Sequence, residues 1–422
     1  MENDKSFVLH GNIIYTPDKD KFVSLKDGYM VVEDGKITSV AAEKPEAAAG
    51  LPVKDCRGKL IMPGFADMHL HAPQYIQIGL GMDDKLLDWL DNYTFKEEPK
   101  FADPAYARQI YPLFVDEMTA CGTTASSIFA TIHPESTDIL CDILAQKGVH
   151  AYVGKVNMDT NSAPALTEDT SASLKATEEF INKWQNHPLV KPIITPRFVP
   201  SVTAEMMTGL GKMAQKYNVP VQSHLSENPG EVQLVKELFP EDKFYMSVYD
   251  RFGLFGQTPT LMAHCIHLSD EEIGIMADKG VYAVHCPASN LNLSSGLMPM
   301  RKLLNAGVKV VLGSDIGAGH TLYMPHEIVR AIEVSKIRSI ENPAEAPLKL
   351  SEAFYMATKA GGEFFGRTGS LEEGWDADFL ITAVPVYQQE RTVEEQLQHF
   401  IYHGTAQDIQ EVYVQGASVK QK

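Results

Sequence analysis

Disulfide chemistry is missing from this chain. Its five cysteines, Cys56, Cys121, Cys141, Cys265 and Cys286, are odd in number, scattered, and nowhere spaced as Cys-x-x-Cys. That excludes a disulfide framework and a thiolate zinc cluster, and it predicts a reducing, cytoplasmic setting. Positive charge is scarce as well. Lys+Arg number 37 against 55 Asp+Glu, a formal charge of -18, and no cluster of Lys and Arg offers the footprint that nucleic-acid phosphates require. A small neutral or cationic ligand is the expected partner. No uninterrupted apolar run approaches membrane-spanning length, and the opening Met-Glu-Asn-Asp-Lys has neither a basic nor an apolar leader region, so neither membrane insertion nor secretion is expected. No Gly-x-Gly-x-x-Gly follows an early strand, which weighs against a dinucleotide-binding doubly wound sheet.

What is present suits a large cored protein: 422 residues, 44% hydrophobic and 22% charged. The first sixty residues hold short alternating segments, Phe7 to Tyr15 and Gly28 to Val40, with Asp-Gly turns, and read as antiparallel hairpins. After Pro63 the texture changes. A strand ending at His69 is followed by apolar runs Cys121 to Phe129, His150 to Met158, Lys191 to Val199, Val219 to Leu225, Thr260 to His267, Gly280 to Cys286 and Val308 to Ser314, with helical patterns between them. Eight such strands predict a (β/α)8 TIM barrel, whose parallel strands are buried on both faces. From Gly366 the chain returns to β texture at Asp378 to Thr382 and Glu411 to Gly416. The expected division is residues 1–62 and 366–422 as two parts of one small β-sandwich domain, with the barrel spanning 63–365.

The segment Met62-Pro-Gly-Phe-Ala-Asp-Met-His-Leu-His-Ala-Pro-Gln-Tyr75 is the most informative. On a strand, residues two apart point to one face, so His69 and His71 can hold one metal ion from one side. Other predicted strand ends supply Thr195-Pro-Arg-Phe198, Ser223-His-Leu-Ser-Glu227, Ala263-His264-Cys265 and Gly313-Ser-Asp-Ile-Gly317. Each has an ordinary explanation: His224 or His264 as a hydrogen-bonded core histidine, Asp315 as a helix N-cap, Glu227 as a solvated carboxylate in a first helical turn. Their joint occurrence at the carboxyl ends of barrel strands, in the order His-x-His, His, His, Asp, favours a catalytic face. Three imidazoles and one carboxylate suit zinc, with ferrous iron second, and a water completing the coordination would have its pKa lowered to about 7. Asp315 is then placed to accept a proton beside the metal. Glu227, three residues past His224, is placed to carry protons without being a ligand. Such equipment suits hydrolytic attack on an electron-poor carbon bearing a nitrogen leaving group.

The motifs Pro-Gly-Phe-Ala-Asp-Met-His-Leu-His, Ser-His-Leu-Ser-Glu, Ala-His-Cys, His-Cys-Pro-Ala-Ser-Asn and Gly-Ser-Asp, in this order, resemble the amidohydrolase superfamily in its mononuclear metal-dependent deaminase branch. His71-Ala-Pro-Gln-Tyr75, Asp88 to Phe95 followed by Glu97, Val153 to Asp159 and Thr195-Pro-Arg-Phe198 look most like its guanine-deaminating members. The resemblance covers nearly the whole chain. It implies hydrolysis of guanine to xanthine and ammonia in purine catabolism, with one zinc per chain held by His69, His71, His224 and Asp315. It also implies Glu227 as proton shuttle, His264 beside the bound water or substrate, Gln74 and Arg197 orienting the purine, and a homodimer. Phe198 is expected to wall the ring or to contribute its backbone amide. On this likeness His71, His224, Glu227, His264 and Asp315 also face the substrate. An arginine there is physically apt, because a donor-only guanidinium matches the O6 and N7 acceptors of guanine. His285 sits at the end of the seventh strand outside the ligand set. Lys155 is expected to be structural, since the motifs look mononuclear and need no carboxylated lysine.

Three other readings remain at this point. A neighbouring deaminase or chlorohydrolase acting on 8-oxoguanine, an adenosine derivative, cytosine or a triazine would keep the metal residues and differ at Gln74 and Arg197. A non-catalytic scaffold would have lost ligands, yet every expected ligand is here. Mere metal storage would have no need of Glu227.

Overall fold

The computed structural model describes residues 6–420. The expected β segments at the two ends begin at residue 1 and finish at residue 422, so their outermost residues lie outside the described residues. In chain order the strands are β1 (Phe7–Asp18), β2 (Lys21–Glu33), β3 (Lys36–Ala41), β4 (Val53–Pro63), β5 (Phe65–His71), β6 (Thr123–Phe129), β7 (His150–Gly154), β8 (Val156–Asn157) and β9 (Val190–Pro192). They continue as β10 (Thr195–Pro196), β11 (Val221–Leu225), β12 (Thr260–His264), β13 (Tyr282–His285), β14 (Lys309–Leu312), β15 (Phe379–Ala383), β16 (Ile409–Val414) and β17 (Ala417–Ser418).

The strands from the two ends of the chain join in one seven-stranded sheet, ordered β17-β16-β15-β4-β1-β2-β3. Hydrogen bonding runs unbroken from β15 through β4 to β1, and the sheet curls enough for the ring of Phe7 of β1 to lie 6.0 Å from that of Tyr413 of β16. A core of its own packs Leu9, Ile13, Met30, Val32, Phe379 and Ile381. Of the Asp-Gly pairs in this region, Asp34-Gly35 makes the turn between β2 and β3, both residues having the positive φ that such a turn needs. Asp27-Gly28 makes no turn. It lies inside β2, where Asp27 takes a positive φ and the pairing with β1 shifts register.

Two four-stranded parallel sheets, β5-β6-β7-β9 and β11-β12-β13-β14, form the centre. A parallel bridge between Ile194 and Val221 links them on one side. On the other, Asp315 N donates to His69 O at 2.8 Å and His71 N donates to Ile316 O at 2.7 Å. Every residue of β5, β6, β11 and β12 is buried, as expected of parallel strands covered on both faces. Helices such as Pro134–Lys147, Ala204–Tyr217, Asp270–Lys279 and Met324–Glu341 connect them. Among the described residues no helix is long and apolar enough to cross a membrane.

The apolar runs expected as strands from Cys121 onward are all trimmed at their ends, and three depart most. Lys191 to Val199 divides into β9 and β10, since Pro192 and Pro196 have no N–H to give a ladder. His150 to Met158 divides around Lys155, with β8 pairing β10 apart from the main sheet. Thr260 to His267 stops at His264, because His264 and Cys265 take φ of 72° and 51° and turn the chain.

Candidate active site

The carboxyl ends of the parallel strands face one another, and the sequence-predicted residues meet there. β5 ends in His69 and His71, β11 carries His224, β12 ends in His264, and Asp315 follows β14. Close approach of β14 to β5 depends on Gly313, where a Cβ would fall 2.9 Å from both the nitrogen and the Cβ of His69. Asp67 reinforces the join: one oxygen accepts from Ser314 N at 2.9 Å. Ser226, His264, Cys265 and Asp315 all take left-handed φ at these strand ends, a strain that clusters where side chains must be re-aimed.

At the centre, His69 Nε2 lies 3.2 Å and His71 Nε2 3.6 Å from Asp315 Oδ1. His71 Nε2 and His224 Nε2 are 3.1 Å apart. His224 donates from Nδ1 to Arg197 O at 2.6 Å, which fixes the tautomer and turns the Nε2 lone pair inward. His264 is held the same way, Nδ1 donating to Asn290 Oδ1 at 2.9 Å, with its Nε2 3.4 Å from Glu227 Oε2. Phe129 packs its ring 4.6–4.9 Å from the rings of His69, His71 and His224 and dries the floor.

Burial lowers the pKa of His71 and His224 well below the ordinary value; His69 and His224 add to it for His71, and His69 and His264 for His224, so both are neutral donors of lone pairs. Asp315 behaves oppositely. Burial alone would raise its carboxyl, but His69, His264 and His71 outweigh that and hold it well below the usual carboxylate range. Among the described residues, His71 Nδ1 has no hydrogen-bond partner, and His69 Nε2 and His264 Nε2 have only the carboxylates of Asp315 and Glu227 near them. Neutral imidazoles converging on an ionised carboxylate, with ring nitrogens unsatisfied, fit a metal ion, and two such groups, His69 with His71 and Asp315 and His69 with His224 and His264, have ligand atoms within 4.8 Å of one another.

Glu227 stands beside this cluster. The helix Pro229–Leu238 is capped by Asn228, and Glu231 reaches back to accept from Asn228 N and, at 2.9 Å, from Glu227 N. Ser295 donates to Glu227 Oε1 at 3.0 Å. Burial pushes the Glu227 carboxyl up to about 8, Asp315 adding to the effect. Two carboxyl groups that each approach His264 Nε2, at 3.4 and 3.9 Å, are thus driven in opposite directions.

A cavity opens in front, with about 410 Å³ outside the protein atoms, part of it continuous with solvent. His71, His224, Glu227, His264 and Asp315 form one wall, and Gln74, Arg197 and Phe198 another. Leu86, Trp89, Leu90 and Leu293 supply an apolar cover. His69 sits behind this lining. His285 is fully buried, does not line the cavity, and has both ring nitrogens unpartnered; burial drives its pKa down to about 3. Lys155 is an internal strut that donates to Ser173 Oγ at 2.8 Å and pairs with Glu168.

Glu98 is the residue sequence reasoning missed. Buried, it accepts from Gln74 Nε2 at 2.9 Å and from Arg197 Nη1 at 2.7 Å. Its only sequence signal was a place in the polar stretch Lys96-Glu-Glu-Pro-Lys100, which resembles a solvated turn.

Comparison with known proteins gives a consistent likeness. The profile of the Amidohydrolase family matches residues 60–419. The guanine deaminase of Dictyostelium discoideum is 40% identical over 87% of this chain and 84% of its own length. That of Homo sapiens is 36% identical over 98% of this chain and 96% of its own. The crystal structure of guanine deaminase from C. acetobutylicum, with guanine bound in its active site, superposes with a TM-score of 0.97 at 50% identity, covering 98% of this chain and 99% of that one.

Proposed function

The chain belongs to the amidohydrolase family, and we propose that it is a metal-dependent aminohydrolase that converts guanine and water to xanthine and ammonia. One observation carries the reading: a buried cluster of His69, His71, His224 and Asp315 has Glu227 beside it, and the cavity in front is also lined by Arg197 and Gln74. The guanine-bound relative at 50% identity supports the same substrate here.

His69, His71, His224 and Asp315 hold the metal, which is zinc on the chemistry of three imidazoles and a carboxylate, ferrous iron being its competitor. When bound, the metal supplies Lewis-acid activation of the attacking water. The chain's own groups do the rest. Arg197 and Gln74 donate to the acceptor edge of the purine, and Phe198 and the apolar cover exclude bulk water. Glu227, protonated at neutral pH, delivers its proton to ring N3 as the water oxygen bonds to C2. Asp315, ionised, receives the proton that the water gives up. His264, when Nε2 also carries a proton, donates from that nitrogen to the developing negative charge. The proton taken up by Asp315 passes to the amino nitrogen, the C2 hydroxyl returns a proton to Glu227, the C2–N bond breaks, and ammonia leaves.

The architecture on this reading is a closed (β/α)8 barrel of residues 63–365, with residues 1–62 and 366–422 forming the small β domain. The bridge at Ile194 and the bonds between residues 69–71 and 315–316 support closure. The chain acts as a cytoplasmic homodimer with one metal per subunit in purine catabolism, as its likeness to the deaminases implies. Incubation of metal-replete protein with guanine should deplete guanine absorbance with one ammonia released per ring. Absence of turnover would move the assignment to another heterocycle.

A further inference from the structure

One carboxylate behind the cavity wall touches both residues assigned above to orient the purine. Glu98 does not line the cavity, and only 4% of it is exposed. Its Oε1 accepts from Gln74 Nε2 at 2.9 Å, and its Oε2 accepts from Arg197 Nη1 at 2.7 Å. The amide of Gln74 is pinned from its other side too, because its Oε1 accepts from Gly317 N at 3.0 Å. Gly317 can come so near only without a side chain: a Cβ there would stand 2.7 Å from Gln74 O.

This pair of bonds settles which way the Gln74 amide faces. Rotated by half a turn, its oxygen would meet the Glu98 carboxylate and its NH2 would meet the Gly317 N–H, two repulsive contacts in place of two favourable ones. The nitrogen of Gln74 therefore has its second hydrogen, a donor, left for a ligand, while its oxygen is turned to the Gly317 N–H. Arg197, held by its Nη1, likewise has only N–H groups left to offer. The nitrogens of both residues thus present donors.

We propose that Glu98 is the specificity-determining positioning residue of this site: by accepting from both Gln74 and Arg197 it fixes where their remaining N–H donors point, which admits a purine with a 6-oxo acceptor and disfavours one with a 6-amino donor. The proposal rests on the guanine-deaminating reading above and deepens it. Discrimination of this kind is strong because a donor facing a donor in a closed site leaves both unpaired. Glu98 acts through its two neighbours and does not touch the reacting atoms.

The test compares guanine with 2,6-diaminopurine, which keeps the reacting 2-amino group and carries a 6-amino group in place of the 6-oxo. Wild-type protein should favour guanine strongly in kcat/KM. Glu98→Gln keeps the shape of the side chain, loses the charge, and frees Gln74 to rotate. It should raise KM for guanine about 10- to 100-fold with a smaller change in kcat, and should narrow the guanine to 2,6-diaminopurine ratio by about tenfold or more. Metal content should be unchanged. Glu98→Asp, which keeps the charge but reaches one partner less well, should fall between the two and gives the same ratio if Glu98→Gln fails to accumulate. Variants with wild-type KM and wild-type selectivity would overturn the role of Glu98 while leaving the activity in place. Wild-type protein that releases no ammonia from guanine would overturn the activity, and the proposal with it.

Discussion

The Nδ1 hydrogen of His224 is donated to the backbone carbonyl of Arg197 across 2.6 Å, so a residue proposed to hold the metal and a residue proposed to orient the purine share one bond. Ser223, next to His224, donates to Pro196 O at 2.7 Å, and Tyr249 donates to His224 O at 2.9 Å. The end of β11 and the Thr-Pro-Arg-Phe segment are thereby fixed as one body. The His224 ring and the Arg197 backbone cannot shift independently.

Removal of one imidazole should separate ligand from acid. His69→Ala should lose most of the metal, measured by elemental analysis, from a starting content of about one per chain. Glu227→Gln should retain the metal and lose turnover. Metal loss in Glu227→Gln would mean that Glu227 is a ligand and that its protonated state serves no acid role.

Arg197→Ala should lower kcat/KM for guanine by about 10- to 150-fold, the equivalent of a charge-assisted hydrogen bond of about 1.5–3 kcal/mol, with metal content intact. It should also lower thermal stability, because Glu98 then keeps a buried charge without its partner. Unchanged kinetics on guanine would show that Arg197 points away from the ring.

Gly313→Ala tests the join of β14 to β5. Its Cβ would meet the His69 backbone at 2.9 Å, and overpacking of this kind costs about 1–3 kcal/mol. The expected outcome is a lower melting temperature together with weaker metal retention. A variant with full metal content and unchanged melting would show that the strand ends have room to move.

A second buried cluster predicts a pH-dependent stability. His150, at the start of β7, lies 3.1 Å from Asp378 and 3.9 Å from Asp376, with Lys36 paired to Asp376 and Lys191 nearby. Burial opposes the charge of His150, but Asp378 and Asp376 outweigh it and raise its pKa, while burial of Asp378 is outweighed by His150, which lowers its pKa. A raised histidine stabilises fully below its unfolded value and loses that contribution as pH rises through its folded value. A lowered carboxylate stabilises above its unfolded value and loses that contribution as pH falls. The pair should therefore contribute most between about pH 4 and pH 6.5. The melting-temperature gap between wild type and His150→Gln should be widest near about pH 5.5 and shrink above about pH 8. A gap that grows with pH would refute the assignment.

Run in oxygen-18 water, a single turnover should place the label at C2 of xanthine. Label absent from the purine would rule out direct attack by water at that carbon.

Much of this site was legible in the chain because strand spacing and chain order are local properties. His69 and His71, two apart on a strand, must share a face whatever surrounds them, and polar residues at the ends of successive buried strands must converge if those strands are parallel. The meeting of His69, His71, His224, His264 and Asp315, with Glu227 nearby, followed from that; which of them would hold a metal came from the family resemblance. What the chain could not state was anything that depends on residues meeting from far apart. Glu98 bonds Arg197 across 99 positions, and nothing in a run of charged residues separates a buried bridge from a solvated turn. The left-handed backbone at His264 and Asp315 shortens strands that continuous apolar runs had suggested were longer, because the packing of neighbouring strand ends overrides local propensity there. The single sheet at the chain ends was hidden for the same reason: alternation shows that a strand has a buried face, and only its hydrogen-bonded neighbours decide which sheet it completes.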